Sequence, residues 1–201
     1  ERGIVCLPKS ERPWDRVEEF LRLNPAGDVP VLMTEDGEAI CGASVIAEYL
    51  EETEEKAPLI WGSASERAEI RRLMDWFEGK FMREVGAPLL NERFIKRFVD
   101  EGQPSSVVIR AAMTNLHIHL DYLDWLTEQG NWLAGRQMSL ADLVGAAHLS
   151  VLDYFGDIDW DRHTETKNWY AKMKSRPSFR ELLADQIPGL PAAAHYGNLD
   201  F

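Results

Sequence analysis

The chain has two cysteines, Cys6 and Cys41, among 201 residues. Two are too few for a disulfide framework, and no Cys-x-x-Cys spacing provides a redox pair. Basic charge is also short: 22 Lys and Arg stand against 34 Asp and Glu, a formal net charge of -12. A nucleic-acid backbone or an anionic membrane surface would be repelled by such a chain, whereas neutral, cationic or protein partners suit it. No apolar run approaches the roughly 20 residues that span a bilayer. No basic-then-apolar leader stands before Glu1; a soluble cytoplasmic protein is expected. Strand-like alternation fades after about residue 65, and no internal repeat is present.

Hydrophobic residues make up 45% and aromatics 10% of the chain, enough for one substantial core or two modest ones. Glu1-Arg2-Gly3 reads as the end of a helix, and Ile4-Val5-Cys6-Leu7 as the strand after it. That reading expects an opening strand and helix, about 25 residues by ordinary element lengths, upstream of Glu1. Pro13-Trp14-Asp15 opens a helix with Val17, Phe20 and Leu21 on its apolar side, stopped at Asn24-Pro25-Ala26-Gly27. Val29 to Leu32 and Ala39 to Cys41 predict two strands around an Asp36-Gly37 turn. A helix follows with Val45, Ile46, Tyr49 and Leu50 on its apolar side.

Charge, proline, glycine and serine mark residues 54–64 as a linker. Residues 1–53 then form a small α/β domain, 65–186 an all-helical domain, and 187–201 a tail. In the second domain, a capped start at Ser65-Glu66 leads into a long helix carrying Ile70, Leu73, Met74, Phe77, Phe81 and Val85, with an interruption expected at Gly86-Ala87-Pro88. After a break at 100–105, a second long helix carries Val108, Ile109, Ala112, Leu116, Leu120, Leu123 and Leu126. Ser139-Leu140-Ala141-Asp142 has the spacing of a capping box, with Ser139 and Asp142 as the folding cap. The alanines and glycine beyond it predict a central rod packed on most sides. Two shorter helices, near 164–175 and 177–184, precede the tail.

A Val-Pro strand entry, a charged linker and an all-helical half with Ser-x-Ala-Asp together resemble the glutathione transferase superfamily over nearly the whole chain. The resemblance implies a thioredoxin-like first domain, a cis proline at Pro30 and a backbone contact from Val29 to glutathione. The positions that in this superfamily hold an acidic residue and a serine for the γ-glutamyl end are Gly42 and Ala43. Neither supplies an acceptor for an ammonium or a hydroxyl for a carboxylate, and each such lost contact is typically worth about 1.5–3 kcal/mol. Ser44 and the helix N-terminus remain as substitutes. The glutathione pocket is therefore read as Val29, Pro30, Gly42, Ala43 and Ser44 in degenerate form. The thiol-activating residue would lie upstream of Glu1, so the catalytic residue is unknown.

A narrower similarity runs through Glu11-Arg12-Pro13-Trp14, the helix from Cys41 to Leu50, Asn131-Trp132-Leu133-Ala134-Gly135, Lys174 to Arg180 and the closing His195-Tyr196-Gly197-Asn198-Leu199-Asp200-Phe201. These segments resemble the glutathione-transferase-like division proteins of alphaproteobacteria that bind the tubulin-like filament protein FtsZ. That resemblance implies a cytoplasmic homodimer at the division site, non-enzymatic and without a cofactor. Its partner-binding residues would be Trp14 and the tail residues His195, Tyr196, Leu199, Asp200 and Phe201. Arg93, Lys96 and Arg97, with Arg83 a few turns earlier, form a basic cluster suited to an acidic protein filament. Other readings stay open. Trp14 also suits an aromatic lid on the small domain, the tail a strap over the helical half, and the basic cluster a solvated face. An active glutathione transferase, with glutathione as co-substrate, is the alternative function. Cys41 reads as a small buried hydrophobe. His117 and His119, two apart on a helix, point to different sides, so no metal site is read there. His148 reads as a hydrogen-bonded core residue.

Overall fold

The computed structural model describes residues 1–53, 57–99, 102–199 and 201. The chain divides into two compact units, Glu1–Leu59 and Ile60–Phe201. The boundary falls within the expected linker 54–64, of which residues 54–56 lie outside the described residues; Ile60 is already buried in the second unit, and Ser63 and Ala64 start its first helix.

In the first unit the expected strand at Ile4 to Leu7 does not form; Val5 and Leu7 are 90% and 94% exposed. The sheet has two strands, β1 (Val31–Met33) and β2 (Ala39–Cys41), and residues 4–7 pair with neither. An apolar tetrapeptide without a ladder partner leaves its backbone to water. The helix expected from Pro13 is split. Pro13–Asp15 makes a single 3-10 turn, Arg16 turns left-handed at φ 46°, and α1 occupies only Glu18–Leu23. Phe20 is the large apolar side chain that this helix buries. The strands are antiparallel, with Val31 opposite Cys41 and Met33 opposite Ala39. Their turn is closed by Gly37 N–H donating to the Thr34 carbonyl at 3.0 Å, with Gly37 at φ 84°, a conformation that favours glycine. Helix α2 (Ala43–Thr53) starts at Gly42, whose N–H donates to the Pro30 carbonyl at 3.0 Å and whose carbonyl accepts from Ile46 at 2.9 Å.

The second unit is helical. Helix α3 (Ala64–Asp75) is capped by Ser63, two residues earlier than expected, because Glu66 then falls at the third helical position and accepts the Ser63 N–H at 2.7 Å. The expected interruption at Gly86 to Pro88 is a change of winding. A π-wound stretch, Trp76–Gly86, continues into α4 (Ala87–Leu90) and a second π-wound stretch, Asn91–Val99. Pro88 sits in the first turn of α4, where a missing N–H is tolerated. Ile70, Leu73, Phe77, Phe81, Val85 and Leu89 make one fully buried face. Helix α5 (Ser106–Gln129) packs against the first π-wound stretch, α4 and α7 (Thr164–Lys174). Helix α6 (Leu140–Phe155) packs against α3, the first π-wound stretch and α7, as a central rod must. Its small residues follow from that position, since a Cβ on Gly145 would stand 2.8 Å from the Phe77 ring. Helix α8 (Pro177–Arg180) and a 3-10 turn at Leu182–Ala184 close the bundle.

The cap of α6 binds more than its own helix. The Asp142 carboxylate is wholly buried and accepts from four donors: Ser139 N–H at 2.8 Å, Ser139 Oγ–H at 2.9 Å, Leu133 N–H at 2.9 Å and Trp169 Nε1–H at 2.8 Å. Burial pushes its pKa above the usual Asp range, against the downward pull of those donors. Asp142→Ala would leave these groups buried and unpaired, and is expected to lower unfolding free energy by about 3–5 kcal/mol in urea titrations.

His148, also on α6, meets aromatic rings in place of the expected hydrogen-bond partner. Its ring centroid lies 6.0 Å from Phe77 and 5.9 Å from Phe81. Burial lowers its pKa below the ordinary histidine value. The folded state therefore keeps it neutral while the unfolded chain takes up a proton below about pH 6.5, so its stabilisation is full above that pH and lost as pH falls. His148→Phe should lose less of its urea midpoint between pH 7.5 and 5.5 than the parent chain. An equal loss in both would exclude His148 as a source of the pH dependence.

Candidate functional site

The hairpin unit carries the first group of candidate residues. The Val29–Pro30 peptide is cis, and Val29 is 49% exposed at the strand entry. Across from it, Gly42 holds φ 93°, a left-handed conformation that resists an acidic side chain with its Cβ. Ala43 and Ser44 open α2 on its exposed side. The arrangement offers a strand-edge backbone and a helix start, and positions 42 and 43 bring no charged or hydroxyl group to it. Cys41 is half-buried, not the fully buried hydrophobe expected, and its Sγ–H donates to the Leu23 carbonyl at 3.6 Å.

Trp14 stands on the 3-10 turn at 43% exposure. Next to it Arg12 pairs with Asp15 at 2.8 Å, an exposed pair worth little in stability. Two of the three cations of the basic cluster are partly exposed but paired with buried carboxylates. Arg93 forms a two-point ion pair with buried Asp157, and Lys96 bonds buried Glu92 at 2.6 Å. Glu92 also accepts the Ser105 N–H at 2.6 Å, fixing the entry to α5; Lys96 and that N–H hold its carboxyl below the usual range. Arg97 lies over the Phe98 ring at 5.3 Å and borders an open depression with Gly102, Gln103 and Pro104. Sequence spacing identified the three cations but could not show that buried carboxylates 4 and 64 positions away use two of them.

The tail is a strap. Tyr154 Oη donates to the Leu190 carbonyl at 2.7 Å, and Ala193 N–H donates to the Tyr154 carbonyl at 2.9 Å. Tyr196 is buried and its hydroxyl lies 2.8 Å from Ser150 Oγ. His195 Nε2 reaches Asp153 at 2.8 Å, and the Phe201 ring lies 3.9 Å from the Lys174 ammonium. Leu199 is half-buried, whereas Gly197 and Asn198 face outward. Asp200 lies outside the described residues. Tyr196 and Phe201, expected as partner contacts, thus face the helical unit.

With this geometry in place, the likenesses to known proteins become informative. The profile of the glutathione S-transferase N-terminal domain matches residues 2–53, and that of the C-terminal domain matches residues 92–186. FtsZ-localized protein A of Caulobacter vibrioides is 48% identical over 204 aligned residues, covering 100% of this chain and 90% of that protein. The chain belongs to the glutathione S-transferase superfamily. Among solved structures, a glutathione S-transferase from Rhodospirillum rubrum superposes with a TM-score of 0.92 at 47% identity, covering 95% of this chain and 86% of the other. FzlA from C. crescentus superposes with a TM-score of 0.91 at 47% identity and the same two coverages.

Within this glutathione S-transferase fold one side-chain group escaped sequence reasoning. His163 is fully buried; its Nδ1 bonds Asp124 at 2.7 Å and its Nε2 lies 3.3 Å from His117 Nδ1. Asp121, Asp124 and His163 stand close enough to hold a metal ion. Asp124 nevertheless already accepts Thr166 N–H at 2.8 Å and Thr166 Oγ1–H at 2.7 Å, so it serves as an N-cap donated to α7 by α5. Only tertiary packing brings these positions, about 40 apart in sequence, together. The committed and the outward cations can be separated by stability. Arg93→Ala leaves Asp157 buried without its partner and should cost about 1–3 kcal/mol in urea unfolding, while Arg97→Ala should stay within about 0.5 kcal/mol of the parent.

Proposed function

We propose that this chain is a binding protein that associates with FtsZ filaments at the cytoplasmic division site, as a homodimer, and that its glutathione pocket is not used for catalysis. The observation carrying this reading is the 48% identity, spread over the whole chain, to a protein named for its localisation with FtsZ. Supporting it, Gly42 and Ala43 stand where a glutathione-binding site needs an acid and a hydroxyl, and Gly42 holds φ 93°. Self-association is supported by large apolar side chains open to solvent in each unit: Val29 and Met33 at 49% and 46%, Ile118 and Trp125 at 64% and 54%. Trp14 at 43% exposure suits an anchor in a partner's pocket. No cofactor belongs to this reading.

An active glutathione transferase is the second reading, favoured by the cis Val29–Pro30 peptide and the exposed start of α2 with Ser44. The two separate in solution. The chain should co-sediment with FtsZ polymers, sediment alone at twice its monomer mass, and neither bind millimolar glutathione nor conjugate it to an aryl halide. Trp14→Ala should weaken co-sedimentation by about tenfold or more with an unfolding midpoint close to the parent. Saturable glutathione conjugation, with no FtsZ in the pellet, would reverse the order of the readings.

A further inference from the structure

His117 and His119 diverge on α5 as their spacing requires, and His117 meets a different histidine. Its Nδ1 lies 3.3 Å from Nε2 of His163, 46 positions on, at the residue that leads into α7. The two rings stack with centroids 5.6 Å apart. His163 is fully buried and His117 half-buried, so the pair opens to solvent on the His117 side.

Asp124 decides which nitrogen of His163 carries the proton. Its Oδ2 lies 2.7 Å from His163 Nδ1, and its Oδ1 accepts Thr166 N–H at 2.8 Å and Thr166 Oγ1–H at 2.7 Å. A carboxylate only accepts, so His163 Nδ1 is the donor and Nε2 is left with its lone pair. One ring nitrogen fixed on a carboxylate and the other presented as a lone pair is the arrangement of a carboxylate–histidine–metal triad.

The separation of the two imidazole nitrogens fits a shared ion. Nitrogens bound to one tetrahedral zinc at about 2.05 Å stand about 3.3 Å apart, the distance between His117 and His163. A direct hydrogen bond of that length would be at the long end of its range. A third donor stands one turn along α5. Asp121 follows His117 by four residues and shares its helix face. Its carboxylate is 60% exposed, with Oδ1 3.7 Å from His163 Nδ1, and donor atoms of Asp121, Asp124 and His163 lie within 4.8 Å of one another. Asp121 and Asp159 also act on His117 with negative charge, opposed by Arg162.

We propose that His117 Nδ1 and His163 Nε2, with the Asp121 carboxylate, bind a zinc ion that staples α5 to the start of α7. Asp124 is not a ligand; it orients His163 and keeps its place as the cap of α7. Imidazole donors suit zinc and its transition-metal neighbours, whereas magnesium and calcium take oxygen ligands. Positions 117 and 163 meet only through packing, so the ion binds the folded chain and stabilises it by mass action. The site is independent of either reading of the partner.

Zinc titration into the full chain, first freed of metal by a chelator, tests the site. The readouts are nitrogen NMR of the histidine rings and thermal unfolding. Cys6 is exposed, so every sample carries Cys6→Ser to keep a thiol from competing. One equivalent of zinc should shift His117 Nδ1 and His163 Nε2, leave the His163 Nδ1 proton in place and raise the unfolding midpoint. His117→Gln, at a half-buried position, should unfold near the parent without metal, weaken zinc binding at least about tenfold and lose the midpoint rise. Asp121→Asn should weaken binding severalfold, and magnesium at the same concentration should move neither ring. Ring nitrogens of His117 and His163 that stay unmoved at millimolar zinc, or zinc binding as tight in His117→Gln as in the parent, would overturn the site and leave the pair as two hydrogen-bonded imidazoles.

Discussion

A buried carboxylate that accepts from several chain segments at once is the interaction on which the helical unit depends. Asp142 joins the start of α6, the loop at Leu133 and the indole of Trp169 on α7 through four hydrogen bonds. Each donor would be costly if left dry. The small face of α6 then sets the depth of packing, since Gly145 admits the Phe77 ring where any side chain would exclude it.

The same device recurs around the unit. Asp124 caps α7 from α5, Asp153 gathers Trp160, Lys174 and His195, Asp157 holds Arg93, and Glu92 ties Lys96 and the Ser105 N–H. An acidic chain therefore uses part of its excess carboxylate internally, as acceptors that fix helix ends and loops. Two of the three cations that spacing nominated for a partner are counterions to these groups. Of the partner residues that spacing nominated, Trp14 and Arg97 remain outward, beside a large net negative charge. Such a surface is better suited to a protein partner than to a polyanion.

Much of the architecture was legible because it is written in local chemistry. The hairpin follows from a short apolar strand, Gly37 in its turn and the Ala39 to Cys41 return, and the bundle from apolar residues three and four apart, as at Ile70, Leu73, Phe77 and Phe81. The misses have equally local causes. Ile4 to Leu7 has strand composition but no ladder, Arg16 at φ 46° divides a helix whose periodicity looked continuous, and Ser63 outcompetes Ser65 as cap because it alone places Glu66 at the third position. Propensity is a weak prior when one backbone turn or one missing partner opposes it.

By itself the sequence determined the superfamily fold, the lack of an acid and a hydroxyl at positions 42 and 43, and the cap at Ser139 and Asp142, because each depends on residue type and near spacing. Only the tertiary structure decided which charges are available. Arg93 and Lys174 look alike as isolated cations in the sequence. Arg93 stays partly exposed and is fixed as counterion to the buried Asp157, whereas Lys174 is itself buried, with Asp153 beside it and the Phe201 ring over its ammonium. The reason is physical: the strength of a charge interaction depends on how far water is excluded from it, and water is excluded by residues distant in the chain.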